Sequence, residues 1–433
     1  MVSDTMKTAK AERIKKTLKE TKKRRETQVC RVYQLKLQNL SKEDIEKLDR
    51  LFLEAKWLRN FVIADIENRI KDYKYKEVEI KTPNGFEKRE IKILSSQMKQ
   101  EIIDQIKDDL KSLKKSKENG NKVGKLKFKS EVRTIPLKQY GVTYKISGDR
   151  NRVKIQGIKK KFRVLGLHQI PENAEVTKGY LIKRASGYYL HVVCYLPKEE
   201  VEREIKEKQT QQLIGIDLGI KHQITISTGE KFNWYIPETK RLKRLQKTLS
   251  RKQKGSRKYQ KIKHLIRKEW EYINNRRQDT LNKVISYLKR FLFIAIQDDS
   301  IESWKKGLFG KQIQNTGIGG ITARLRSLAT LIPVFFVDRY EPTTQTCSFC
   351  GHRQEISLSK RTFKCENCGR EIDRDVNSSR NILKTALEQL FWIAKLIEII
   401  GEGKLLKTLP VGSGEVTPVE RTVVLAEAGS PSL

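Results

Sequence analysis

The sequence predicts a multi-domain α+β protein: a β-rich first half with a helical insertion, and an α/β second half interrupted by a cysteine cluster. Three observations carry this expectation. Apolar residues alternate with a period of two across much of 125–197, as half-buried antiparallel strands require. They recur at helical spacing over 41–70 and 96–115. Beyond residue 213, short apolar strands alternate with long basic helices and two C-x2-C pairs. The 433 residues, 37% of them hydrophobic, can build several cores. Length alone sets a prior of roughly two to four domains.

In chain order, residues 1–28 read as a basic arm or frayed helix. A domain assigned to 29–205 opens on the alternating strand "CRVYQLKLQNL". Ser41 and Asp44 then form a capping-box-like start, and Ile45, Leu48, Phe52 and Ala55 fall on one helical face. A second helix covers 96–115, ahead of a polar hinge, "KSKENGNKVG". Two hairpins follow, turning at "SGDRN" and "ASG", so a β-barrel with a helical insertion at about 40–120 is expected. "PKEEVEREIKEKQTQQ" reads as a charged linker, and the first strand of the next domain (206–345) begins at Leu213. No internal repeat at solenoid periods is visible.

Lys and Arg number 91 against 52 Asp and Glu, a formal +39 that points to a polyanionic partner. Apolar runs such as "FLFIAI" are too short to span a bilayer, and residues 1–30 lack the apolar core of a signal peptide. No membrane partner and a cytoplasmic location are therefore expected. Residues 240–277 hold sixteen Lys or Arg and two Glu, too one-signed for a face stabilised by ion pairs. We expect a helical hairpin over 240–290, turning near Gly255 and Ser256, that lies along a nucleic-acid backbone. Its contacts would be Lys243, Arg244, Lys247, Arg251, Lys252, Lys254, Arg257, Lys258 and Lys261.

Cys347 and Cys350, then Cys365 and Cys368, form two C-x2-C pairs separated by fourteen residues. Each pair lets one tight knuckle present two thiolates to a tetrahedral ion, with Gly351 and Gly369 as the flexible positions. Four sulfurs leave no open coordination position, so a structural Zn²⁺ is expected. His352 reads as a surface residue, and Cys30 and Cys194 as core residues in strands.

"LIGIDLGIKHQITIST" places Asp217 inside an apolar strand followed by a hairpin return. A carboxylate there is costly unless it meets a cation or a base. "FIAIQDDSIESW" is a second apolar strand, running out into Gln297, Asp298 and Asp299. "IDRDVNSSRNIL" sets Asp373 and Asp375 just before a helix whose apolar face includes Ile382, Leu383 and Leu387. The helix dipole favours both carboxylates, so either can be a cap. Together the three segments follow the order of a ribonuclease-H-like nuclease, in which two Mg²⁺ activate water for phosphodiester cleavage.

"GIDLGIKH", the basic helices, "QDDSIESWKKGLFGKQIQ", "VDRYEPTTQTCSFCG", the second knuckle and "DRDVNSSRNIL" occur in the order seen in TnpB. The chain thus resembles the TnpB family of transposon-encoded RNA-guided nucleases, and the compact type V CRISPR effectors related to it. The resemblance implies a β-barrel wedge with a helical recognition insertion, then an RNase H-like (RuvC) domain in two parts, 206–345 and 373–405. A zinc-ribbon target-nucleic-acid-binding insert would occupy 346–372, and a flexible tail 406–433. It also implies a guide RNA, of the transposon omega type or a CRISPR RNA, and a target DNA recognised beside a short adjacent motif.

Asp217 matches the first catalytic Asp of the family and Asp375 the last, and the four cysteines match its zinc ligands. Where most relatives carry a Glu, this chain has Gln297. Strand alternation puts Asp299 on the same face as Gln297, which makes Asp299 the expected third Mg²⁺ ligand. An amide in place of the acid also leaves open an impaired or dead nuclease that acts as an RNA-guided repressor. A guide-free zinc-ribbon accessory factor of a transposon is the remaining alternative.

Overall fold

The computed structural model describes residues 2–147, 151–357 and 359–400; the expected tail and the middle of the "SGDRN" turn lie outside them. The chain divides into two compact units, Met1–Pro197 and Lys198–Leu433.

In the first unit the basic N-terminal segment is a helix, α1 (Val2–Glu26), followed by β1 (Gln28–Gln38). Helix α2 (Lys42–Ala64) starts at a reciprocal capping box. Ser41 Oγ accepts from the Asp44 N–H at 3.2 Å, and Asp44 Oδ2 accepts from the Ser41 N–H at 2.9 Å. Leu48, Phe52 and Ala55 are buried as expected, but Ile45 is 39% exposed, so the buried stripe starts one turn later. After α3 (Ile66–Arg69) come β2 (Glu77–Thr82), β3 (Gly85–Glu90) and α4 (Ser96–Glu118). The fully buried Glu54 ties α2 to the segment before α4, accepting from the backbone N–H groups of Lys92, Ile93 and Leu94 and from Arg50.

The remaining strands are β4 (Thr134–Leu137), β5 (Tyr144–Ser147), β6 (Arg152–Ile155), β7 (Lys161–Leu165), β8 (Glu175–Arg184) and β9 (Gly187–Pro197). With β1 they form one antiparallel sheet in the order β4-β8-β9-β1-β7-β6-β5. Its two end strands are consecutive in the chain. Tyr144, on β5, donates its hydroxyl to the Thr177 carbonyl on β8 at 3.0 Å, so the sheet curls until its ends meet. Gly179 permits that approach, since a Cβ there would lie 3.1 Å from the Tyr144 ring.

His191 on β9 is pushed down to about 4 by burial, with the Arg184 charge adding to the effect. Below its ordinary 6.5 the unfolded chain takes up a proton that the folded state refuses, so stability falls as the pH drops from 6.5 towards 4. The loss between pH 7 and 5 is expected to be about 2 kcal/mol. Urea unfolding at the two pH values should show it in the native protein and a smaller loss in His191→Gln. Equal losses would mean that the ring is not shielded.

The second unit opens with α5 (Lys198–Lys206), where a charged linker was expected. Val201 and Ile205, one helical turn apart, are its buried side. Next are β10 (Thr210–Leu218), β11 (Ile224–Ile226), β12 (Lys231–Phe232), α6 (Lys240–Ser250) and α7 (Arg257–Leu288). They are followed by β13 (Phe291–Gln297), α8 (Ile301–Lys306), α9 (Gly310–Thr316), α10 (Gly319–Leu328) and β14 (Val334–Val337). A small hairpin, β15 (Thr362–Lys364) and β16 (Glu371–Asp373), precedes the long α11 (Arg374–Ile400). The main sheet has the order β12-β11-β10-β13-β14; the first three strands are antiparallel, and β10, β13 and β14 run parallel. Helix α11 covers it through Ile382 and Ala386, packed on Phe293, Ala295 and Val337. Leu387, expected on the buried face, is 39% exposed. Among the described residues no helix is long and apolar enough to cross a membrane.

Candidate metal centres and nucleic-acid interface

Gly215 decides how closely α11 can approach β10. A Cβ on it would lie 1.9 Å from the Ser379 carbonyl oxygen and 2.8 Å from the Leu383 nitrogen, both backbone atoms that cannot swing away. The contact sets the first turn of α11 beside Asp217, two residues along the strand. Gly215→Ala is expected to force the elements apart and to cost roughly 3 kcal/mol or more. A wild-type unfolding midpoint in that variant would show that the contact is looser than described.

Asp217 pairs in register with Thr225, and its Oδ1 accepts from the Ser378 hydroxyl at 3.0 Å. Burial, then the neighbouring Asp375 charge, pushes its carboxyl up to about 8, with Asp299 adding to the rise; Ser378 and Arg374 oppose it. Asp299 is pushed up to about 6 by burial and by Asp298, against Arg339. A buried acid raised by neighbouring acids is relieved of the repulsion by taking a proton or a cation. Asp375, in the first turn of α11, is held by the Arg374 guanidinium at 3.1 Å.

The neighbouring acids are otherwise engaged. Asp373 Oδ1 accepts from the N–H groups of Asp375 and Val376, and its Oδ2 meets Lys231 at 2.6 Å, so it is the cap of α11. Asp298 is paired with Arg326. Strand alternation stops short of Asp299: β13 ends at Gln297, and the Asp299 N–H bonds the Gln297 carbonyl, so the chain has already turned. It is that turn, and not the pleat, that puts the Asp299 charge near Asp217.

The amide of Gln297, 9% exposed, faces a loop. Its Nε2 donates to the carbonyls of Asp338 (3.2 Å), Arg339 (3.2 Å) and Glu341 (3.0 Å), and its Oε1 accepts from Thr343 (3.0 Å). Asn377 and Asn381 of α11 donate to the Thr346 carbonyl, Asn381 also to that of Thr343, and Asn377 Oδ1 accepts from the Ser348 N–H. These amides and Glu341, a half-buried carboxylate on the same loop, were not among the expected site residues. The polar run "VNSSRN" at the start of an otherwise apolar helix was the signal that could have found the asparagines.

The four cysteines form, among the described residues, the one cluster of three or more ligating side chains whose donor atoms lie within 4.8 Å of one another. The three carboxylates are set more widely. Cys347 Sγ lies 3.8 Å from Cys368 Sγ, and Cys350 Sγ 3.6 Å from Cys365 Sγ. A tetrahedral Zn²⁺ with Zn–S bonds of about 2.3 Å needs sulfurs about 3.8 Å apart, so the donor set fits zinc. The knuckles match each other. Gly351 and Gly369 donate to the Cys347 and Cys365 carbonyls, both at 2.9 Å, and both glycines adopt positive φ, 78° and 70°. His352 is exposed, Cys194 is buried and Cys30 partly so.

The basic segment is a helical hairpin whose second helix is capped by Ser256, with Gly255 at φ 87°. Ile236, Leu242, Ile266 and Ile273 close its inner side. Of the nine basic residues expected to face nucleic acid, Lys252 is half-buried and the others are exposed. None of the nine pairs with a carboxylate among the described residues; Glu269 instead accepts from Thr239 and pairs with Arg241.

Two family models match this chain: a "Probable transposase" model over residues 196–292 and a "Cas12f1-like, TNB domain" model over 326–382. A "Putative RNA-guided DNA endonuclease" of Streptomyces pristinaespiralis is 30% identical over 231 residues, covering 50% of this chain and 55% of that protein. "TnpB-like protein L79" of Acanthamoeba polyphaga mimivirus is 26% identical over 221 residues, covering 46% and 41%. The chain thus spans about half the length of these curated relatives. A solved Cas12f1–sgRNA–target DNA complex aligns with a TM-score of 0.45 at 15% identity, over 79% of this chain and 83% of that one. The resemblance to the TnpB family and the compact type V effectors is thereby shown in sequence, and the transposase and TNB segments within residues 196–382 carry it.

Proposed function

We propose that this chain is an RNA-guided, Mg²⁺-dependent DNA endonuclease with a single RuvC-type site. The observation that carries the reading is that the charges of Asp375 and Asp299 both reach the buried Asp217, the three acids being contributed by α11, by the turn after β13 and by β10. The sheet order, three antiparallel strands followed by two parallel ones, supports an RNase H-like domain around them.

Asp217, Asp299 and Asp375 would hold two Mg²⁺, which supply an activated water and charge stabilisation at the scissile phosphate. Ser378 holds one Asp217 oxygen, leaving the other for the cation. The cysteine module is the target-nucleic-acid-binding insert, and Zn²⁺ in it is structural. The unpaired cations of the α6–α7 hairpin neutralise guide or heteroduplex phosphates. Residues 29–205 would form the wedge and recognition region, and base pairing with the guide would read the target.

The second reading, RNA-guided binding without cleavage, rests on the amide at position 297. The third, a guide-free accessory factor, is separated from both by the bound RNA. After co-expression with the flanking locus, a discrete RNA is expected to co-purify with the protein. Only heterogeneous cellular RNA would contradict both guided readings. Affinity for that RNA should fall with salt at a log–log slope of about −0.7 to −0.9 per phosphate contact, and charge reversal at Lys243, Arg251 and Lys258 should flatten it.

A further inference from the structure

The amide of Gln297 is used at both ends. Its nitrogen meets only carbonyl oxygens, those of Asp338, Arg339 and Glu341, and its oxygen meets only the Thr343 hydroxyl. Turned over, it would set an oxygen against three oxygens, so its neighbours fix its orientation. A glutamate here would face the same three carbonyls with a carboxylate oxygen. Protonated, it would offer one donor where the amide offers two.

From Thr343 the network continues inward. Thr343 gives its one hydroxyl hydrogen to Gln297 Oε1 and Ser378 gives its own to Asp217 Oδ1 at 3.0 Å, so the two hydroxyl oxygens, 3.1 Å apart, touch without a hydrogen of their own between them. Gln297, Thr343 and Ser378 are 9%, 4% and 1% exposed, so the links run through the interior. Two buried hydroxyls in contact each keep the other's hydrogen directed away, here to Gln297 and to Asp217, and removing either one frees its neighbour to turn. The chain joins the end of β13 to a carboxylate within β10 by way of the loop after β14 and the first turns of α11.

We propose that Gln297 is a positioning residue for Asp217. Its amide anchors the loop 338–343 and, through Thr343 and Ser378, holds Asp217 in the orientation in which it meets a divalent cation. The inference rests on the metal-site reading above and deepens it: the amide is a working part of the centre and not the remnant of a lost ligand. It follows that Gln297→Glu weakens the centre, whereas a lost ligand predicts that the same change strengthens it.

The test is Mn²⁺ binding to the full-length protein by electron paramagnetic resonance, with thermal melting alongside. Thr343→Val is expected to weaken Mn²⁺ binding roughly tenfold, and Thr343→Ser, which keeps the hydroxyl, to restore it to within about twofold. Gln297→Glu and the near-isosteric Gln297→Met should both melt lower than wild type and bind Mn²⁺ more weakly. Tighter or unchanged binding in Gln297→Glu would overturn the proposal, as would wild-type binding in a folded Thr343→Val. If the wild type binds no Mn²⁺, or Asp217→Asn binds it equally well, the metal-site reading itself fails and the inference fails with it.

Discussion

Asp299→Ala is expected to reduce target cleavage on the order of a thousandfold, while Asp298→Ala stays within about threefold of wild type. The two acids are adjacent, but their surroundings differ. Asp298 is neutralised by Arg326, itself stacked on Phe336, and so is a structural ion pair. Asp299 is raised to about 6 by burial and by Asp298 in spite of Arg339, and in turn raises Asp217. A group with that electrostatic cost is relieved when a divalent cation arrives, and its loss removes a ligand. Binding of guide and target should change little in either variant. Were Asp299→Ala to cleave normally, the third ligand would have to be sought elsewhere, with Glu341 on the Gln297-anchored loop the next to replace.

The second large effect concerns the cysteine module. Cys365→Ser is expected to lose bound zinc and to unfold the segment between β14 and α11. Among the described residues the hydrophobic cluster there consists of Cys347, Phe363 and Cys365, with Ile356 and Ile372 packed against it. So small a core cannot hold a fold without its metal, and structural Zn²⁺ contributes on the order of 10 kcal/mol in modules of this kind. The damage should reach the carboxylate centre, because Asn377 and Asn381 bond backbone groups at positions 343–348, on the way into the first knuckle. Metal analysis and limited proteolysis would show it. Full zinc occupancy with native protection would mean that the ligand assignment is wrong.

How much of this was legible depends on how far each feature reaches along the chain. The cysteine cluster could be read from spacing because each knuckle is a local turn. The basic hairpin could be read because one-signed charge and a Gly-Ser turn are local too. The turn "PNG", whose Gly85 adopts φ 118°, is an equally local hairpin signal for β2 and β3. Helix α5 reads as a linker in the sequence because charge masks its two buried residues.

The carboxylate centre is different. That Asp217 ends in an apolar strand and Asp375 opens a helix can be read from the sequence, but their neighbourhood depends on a glycine that lets α11 touch β10. Alternation could not orient Asp299, since the strand had ended two residues earlier. The use of Gln297 was hidden altogether, because its partners are carbonyls 41, 42 and 44 residues away. An amide where an acid is usual reads as a loss until the acceptors around it are known.

The most direct measurement is cleavage of a plasmid matched to the co-purified RNA and carrying randomised adjacent motifs, with Mg²⁺ and with EDTA. Cutting is expected to need the matched sequence and the metal, to survive Asp298→Ala, and to disappear in Asp217→Ala and Asp375→Ala while the RNA stays bound. Cutting that persists in Asp217→Ala, or tight matched binding with no cutting in the wild type, would contradict that expectation.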